Sequence, residues 1–238
     1  MGECRLCGRK GWLVSVNQYG LCMNCQSAVA VETSSRLRVI NESSEIIRNS
    51  KNLATRLSRC DVLEENAREL RKYEERGLPV TNPLPSQLMA LAQQLREEVL
   101  SEEAVKILDA ARAKADVVAT PKARVSALSA GLLKITELCG KIDPTPAKVR
   151  ESQEALKAEV RRANLEVFLD DARKAEFKGQ VNKAIDKYKE ALYFLKTDVV
   201  DDRLQDKDIA EIEGKIAELG AATRKRDRRD MDGREEKA

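Results

Sequence analysis

Four of the six cysteines form two pairs, Cys4-Arg5-Leu6-Cys7 and Cys22-Met23-Asn24-Cys25, separated by fourteen residues. Each CxxC turn can present two thiolates to one ion, and two such turns complete a tetrahedron of sulfur, the geometry that suits Zn²⁺. A site with four thiolate ligands is closed: no position remains for water or substrate, so its metal is structural. The predicted ligands are therefore Cys4, Cys7, Cys22 and Cys25, with one zinc ion. A disulfide pair, an iron site, an unoccupied thiol cluster and a CxxC redox pair are the alternatives; the second CxxC at ligand spacing favours zinc. A module this small has too little core to fold alone, and zinc supplies on the order of 10–16 kcal/mol of apparent binding free energy to folding.

The residues between the pairs predict a hairpin. Gly8 and Gly11 suit tight backbone after the first turn, Trp12 to Val16 alternate as a strand does, and Asn17-Gln18-Tyr19-Gly20 is turn-like. The stretch resembles zinc-ribbon and treble-clef modules. The resemblance implies that the second pair stands at a helix N-terminus, since Cys25 runs directly into Gln26-Ser27-Ala28-Val29.

No other grouping of residues assembles a reactive site. The chain of 238 residues has no histidine, which excludes Ser-His-Asp and Cys-His catalysis and HExxH zinc chemistry. Glycine is sparse and never arranged as a phosphate loop. Acidic pairs such as Asp170-Asp171 and Asp201-Asp202 read as solvated charge. Cys60 and Cys139 sit in apolar-periodic segments and are expected in the core. A non-enzymatic protein is the reading these exclusions leave.

The elements that position the cysteines must be helical. Only 3% of residues are aromatic, so a core rests on Leu, Ala, Val and Ile, while 35% are charged. Leu53, Leu57, Cys60, Leu63, Ala67 and Leu70 recur at helical steps and make one apolar stripe. It extends back through Leu37, Ile40 and Ile47, which predicts one long helix or two abutting ones over 27–76, interrupted at Asn49-Ser50. Gly77 and Pro79 stop it. A second helix is predicted from Pro85 to Val118. Thr120-Pro121 and Thr145-Pro146 predict two helix starts of one design, a threonine cap followed by proline at the first helical position, opening helices over 121–139 and 146–178.

Residues 168–195 resemble one tetratricopeptide repeat. Ala172 and Ala184 match the small positions of its two helices, Gly179 the turn, Tyr188 the aromatic position, and Ala191-Leu192 the terminal pair. The resemblance implies two closely packed antiparallel helices with a partner-binding face. Ala175 stands where tyrosine is usual, and the closing proline is missing near Lys196. A last amphipathic helix, Asp206 to Leu219, suits a cap. The tail from Thr223 alternates charges without apolar anchors and is expected to be flexible or frayed.

These readings give a mainly α chain: a zinc module over 1–30, a long-helix body over 31–142, a repeat-like hairpin with its cap over 143–222, and a charged tail over 223–238. Five of the eight aromatics lie in the hairpin and two, Trp12 and Tyr19, in the zinc module, where Trp12 is expected to pack the hairpin. The predicted function is an interaction or adaptor protein with protein partners. A homodimer seam along the long helices is the alternative to an intramolecular bundle.

Net charge is only +3, yet residues 1–60 carry +5. Arg48, Asn52, Arg56 and Arg59 fall within one helical face, because steps of 4, 4 and 3 keep residues nearly in register, and Arg5, Arg9 and Lys10 lie in the zinc module. Nucleic-acid binding through these arginines and Lys10 is the second functional reading. No apolar run is long enough to cross a membrane, and the N-terminus does not read as a signal peptide, so the cytoplasm is expected.

Overall fold

The computed structural model describes residues 2–197 and 205–235, with side chains as far as residue 224. Among the described residues are seven helices and one two-stranded sheet, the mainly α class predicted from the sequence. The strands are short. β1 (Gly2–Glu3) pairs antiparallel with β2 (Lys10–Gly11), with Gly2 opposite Gly11 and Glu3 opposite Lys10. They therefore bracket the first CxxC, and Trp12 to Val16 form no strand. A hydrogen bond from Val14 N to Gly11 O (3.2 Å) closes a turn instead, with Trp12 and Leu13 at its corner.

The stripe through Leu37 to Leu70 is carried by two helices, α1 (Met23–Asn49) and α2 (Leu53–Glu74). The break falls where predicted. Ser50 is extended, and Asn52 caps α2 by accepting from Thr55 N at 3.0 Å. Cys60, Leu63, Ala67 and Leu70 are all buried, at roughly 1.5–3 kcal/mol for each large aliphatic side chain. Gly77 ends α2 with φ +68°, a left-handed conformation that costs glycine nothing. Bonds from Leu78 N to Tyr73 O and from Gly77 N to Glu74 O complete a Schellman cap.

The remaining helices are α3 (Pro85–Val117), α4 (Pro121–Cys139), α5 (Ala147–Phe177), α6 (Val181–Thr197) and α7 (Asp206–Glu235). Thr120 caps α4 as predicted, accepting from Ala123 N at 3.2 Å with Pro121 in the first turn. The second start differs. Pro146 itself occupies the cap of α5, and the Thr145 hydroxyl turns back to donate to Cys139 O at 3.2 Å, tying the connector to the end of α4. α7 outruns the expected Leu219 and continues, as far as Glu235, through the stretch expected to be flexible or a frayed helix; arginine and lysine are good helix formers. Residues 236–238 of the expected tail and the pair Asp201-Asp202 lie outside the described residues.

Contacts group the chain into two compact units, Met1–Val105 and Lys106–Ala238, with the boundary inside α3. In the first unit the cysteine module is continuous with the helical core: Cys4, Leu21 and Cys22 belong to the same buried cluster as Ile40, Ile47, Leu63 and Leu70. Glu32 on α1 ties α1 to α2 by accepting from Lys72 Nζ (2.8 Å) and Tyr73 Oη (2.5 Å), while Arg36 donates to it within α1 at 3.0 Å. In the second unit α4 packs on α5, α5 on α6 and α6 on α7.

The α5–α6 hairpin buries Ala172, Ala184, Tyr188, Ala191 and Leu195. Tyr188 donates to Glu176 at 3.1 Å, and the rings of Phe168 and Phe194 pack 5.4 Å apart between centroids with their planes tilted by 41°. Phe177 and Tyr193 point to solvent.

Candidate metal centre

The first cysteine pair is shaped by its own backbone. Gly8 N donates to Cys4 O (2.9 Å), closing the knuckle, and Cys4 N donates to Arg9 O (3.0 Å), holding it against β2. Arg5 N donates to Gly20 O (2.9 Å) and so ties the first knuckle to the loop before the second pair. Asn17 organises that loop. Its side-chain oxygen accepts from Tyr19 N and from Leu21 N, both at 3.0 Å, as expected of an Asx turn. Gly20 sits at φ +76° with the Arg5 side chain 2.8 Å from where a Cβ would stand, so any other residue there is strained and must displace Arg5.

The loop delivers Cys22 to the N-cap of α1 and Cys25 to its first turn. The second pair therefore stands at a helix N-terminus, where free N–H groups and the helix dipole favour thiolate. All four sulfurs lie within 4.8 Å of one another. A Zn–S bond of about 2.3 Å sets tetrahedral edges of about 3.8 Å. The Cys7–Cys22 separation of 3.9 Å meets that length. A metal ion fits the donor set.

The electrostatics point the same way. Backbone N–H groups of Cys7 and Cys22 hold the Cys4 thiol down to about 6, and Cys22 N lies 3.4 Å from its sulfur. The Cys7 side chain, then burial, then Cys22 and Cys4 push the Cys25 thiol up to about 12. Crowded thiols give up the first proton readily and the last only when positive charge is supplied. A divalent cation supplies it.

Cys60 is fully buried in the helical core, and burial raises its thiol. Cys139, expected in the core, is half-buried.

The arginines of the second reading are distributed over two helices and the cysteine module. The break between α1 and α2 places Arg48 on one helix and Arg56 and Arg59 on the other. Arg48 is exposed, but Arg56 is only 9% exposed. Its Nε donates to Ile47 O at 2.7 Å and its Nη1 to Glu102 at 2.7 Å. Arg5 and Arg9 are exposed, and exposed Lys10 pairs with Glu3 at 3.0 Å.

Trp12 is exposed rather than packed against the hairpin, because the Gly11–Val14 turn throws it outward. The residues around it escaped the sequence reading, though one signal was available: residues 11–31 carry no charged side chain. No helix among the described residues is long and apolar enough to cross a membrane. The chain matches no family model, no curated protein and no solved structure.

Proposed function

We propose that the chain is a non-enzymatic interaction protein whose N-terminal module is fixed by one structural zinc ion. The observation that carries this reading is the closed donor set, four cysteine sulfurs within 4.8 Å of one another. Sulfur-only tetrahedra select zinc or iron–sulfur chemistry. A reducing compartment such as the cytoplasm would keep these cysteines as thiolates, and zinc needs no redox partner there. With all four positions filled by protein, the ion organises backbone and performs no chemistry on a substrate.

The second unit supplies the partner surface. Small residues at 172, 184 and 191 let α5 and α6 approach closely, in the manner of a tetratricopeptide hairpin, while Phe177 and Tyr193 face outward. Exposed aromatics flanked by polar surface are what interface hot spots are built from. The nucleic-acid reading is weaker, because Arg56 is engaged inside the fold.

Metal analysis of the full chain purified without added metal tests the central claim. One zinc per chain is expected; no metal, or iron in its place, overturns it. For the partner surface, Phe177→Ala/Tyr193→Ala should remove specific proteins captured by the full chain from its native source. An unchanged set of partners counts against the hairpin. Retained binding of DNA or RNA that weakens with salt and is lost on reversing Arg48 and Arg59 would favour the second reading.

A further inference from the structure

All six cysteines are among the described residues, and Cys7 is the exposed one. Cys4, Cys22 and Cys60 are buried, and Cys25 and Cys139 are half-buried. The space beside Cys7 is open, since a Cβ built on the next residue, Gly8, would meet nothing within 4 Å. An ion at the centre of four sulfurs covers their inner faces and leaves the outer side of Cys7 to solvent. A thiol bound to such an ion is deprotonated outright, and a thiolate that solvent can reach is the form oxidants attack.

A resolving thiolate stands beside it. Cys22 Sγ lies 3.9 Å from Cys7 Sγ. Cys22 precedes α1 with extended backbone (φ −70°, ψ 161°), whereas Cys25 is held inside the first helical turn. Cys4 is 1% exposed, and its sulfur is engaged by Cys22 N at 3.4 Å. Of the three sulfurs around Cys7, that of Cys22 is therefore the freest to close on it. The bond from Arg5 N to Gly20 O keeps the two knuckles side by side while their sulfurs move. A disulfide needs about 2.05 Å between sulfurs, so the gap must close by roughly half.

We infer that Cys7 and Cys22 are an oxidisable pair: a hydroperoxide joins them as a disulfide and thereby releases the metal. The Cys7 thiolate attacks a peroxide oxygen; an S–O bond forms, the O–O bond breaks and hydroxide leaves. The Cys22 thiolate attacks the resulting sulfenic sulfur; the S–S bond forms, the S–O bond breaks and a second hydroxide leaves. The two thiolates give up two electrons, and hydrogen peroxide accepts them and, with two protons from solvent, becomes two waters. Only Cys4 and Cys25 then remain as thiolates, half of a tetrahedral set. A covalent bond takes over the ion's task of joining the knuckles, and a small thiol can reverse it. The inference rests on the proposal that zinc fills this donor set.

Hydrogen peroxide added to the full-length, zinc-loaded protein beside a chromogenic zinc chelator tests it. One zinc should be released for each peroxide consumed. The chain should be lighter by two hydrogens, and peptide mapping should find Cys7 bonded to Cys22. Dithiothreitol with zinc should restore the metal content. Cys60→Ser/Cys139→Ser, which leaves the four ligands in place, should respond as the parent does; loss of the response overturns the assignment to the cluster. Zinc retained under excess peroxide overturns the inference and leaves the zinc proposal standing. Release with Cys4 or Cys25 as the partner of Cys7, or with Cys7 carried on to sulfinic acid, overturns the pairing. Protein that holds no zinc before peroxide is added rejects the proposed function instead, and this inference with it.

Discussion

Arg56 Nε donates to the carbonyl of Ile47 across the break between α1 and α2, at 2.7 Å. Ile47 lies in the last turn of α1, where carbonyls have no intrahelical donor. A second bond from Arg56, donated by Nη1 to Glu102, carries the link on to α3. A planar guanidinium can serve both acceptors at once; an ammonium serves them poorly.

Arg56→Ala should therefore lower unfolding stability by about 1–3 kcal/mol, the range for leaving a buried acceptor unsatisfied. Arg56→Lys should recover only part. Arg48→Ala, at an exposed position, should stay within about 0.5 kcal/mol of the parent. Chemical denaturation of the three variants checks the order. A neutral Arg56→Ala would remove the capping role.

Metal removal is the second test. The cysteine module contributes Cys4, Leu21 and Cys22 to the core that holds α1 and α2. Chelation, or Cys4→Ala/Cys22→Ala, should lower the melting temperature of the first unit. Helical ellipticity should fall little, because only Cys22 and Cys25 border a helix among the four ligands. Loss of most helicity would mean the metal organises far more than its module.

Two glycines inside helices should respond in opposite directions to alanine. A Cβ on Gly131 would stand 2.6 Å from Ala111 Cβ and 3.3 Å from Leu156. One on Gly214 would meet nothing within 4 Å. Alanine is intrinsically better than glycine in a helix by about 0.8–1 kcal/mol. Gly214→Ala should gain most of that. Gly131→Ala should lose stability by about 1–3 kcal/mol, as overpacking outweighs propensity. Thermal melts of the two single variants decide it.

Glu32 should give the first unit a pH-dependent stability. Hydrogen bonds from Lys72, then Tyr73 and Arg36, hold its carboxyl down to about 2, against 4.5 for a free side chain. A group depressed on folding stabilises fully above its unfolded value. That contribution is lost as pH falls from about 4.5 towards 2. Partial exposure screens the cluster, so the loss is on the order of 1–2 kcal/mol. Glu32→Gln should flatten the stability profile across that window. A parallel slope in parent and variant would assign the acid sensitivity to other carboxylates.

Local chemistry made much of the protein legible before any contact was known. The spacing of Leu53 to Leu70 placed the buried face of α2, the Gly77-Leu78-Pro79 stretch placed its end, and Thr120-Pro121 placed the start of α4. These features depend on residues within a turn or two of each other. The four cysteines were legible for the same reason, since each pair forms its own knuckle and only their meeting is long-range.

Other features were decided only by the tertiary structure. Arg48 to Arg59 make one basic face only if the helix is continuous; the break at Ser50 turned Arg56 inward, where the orphan carbonyl of Ile47 holds it. Thr145 bonds to Cys139, a partner that helix-start patterns do not include. Gly131 is fixed by Ala111, twenty positions away on another helix. Tryptophan usually packs, whereas Trp12 is exposed at the corner of the Gly11–Val14 turn. The sequence by itself determined where helices begin, end and bury their stripes, and which sulfurs can share an ion. The approach of distant segments decided which polar groups are consumed inside the fold and which apolar ones remain at the surface.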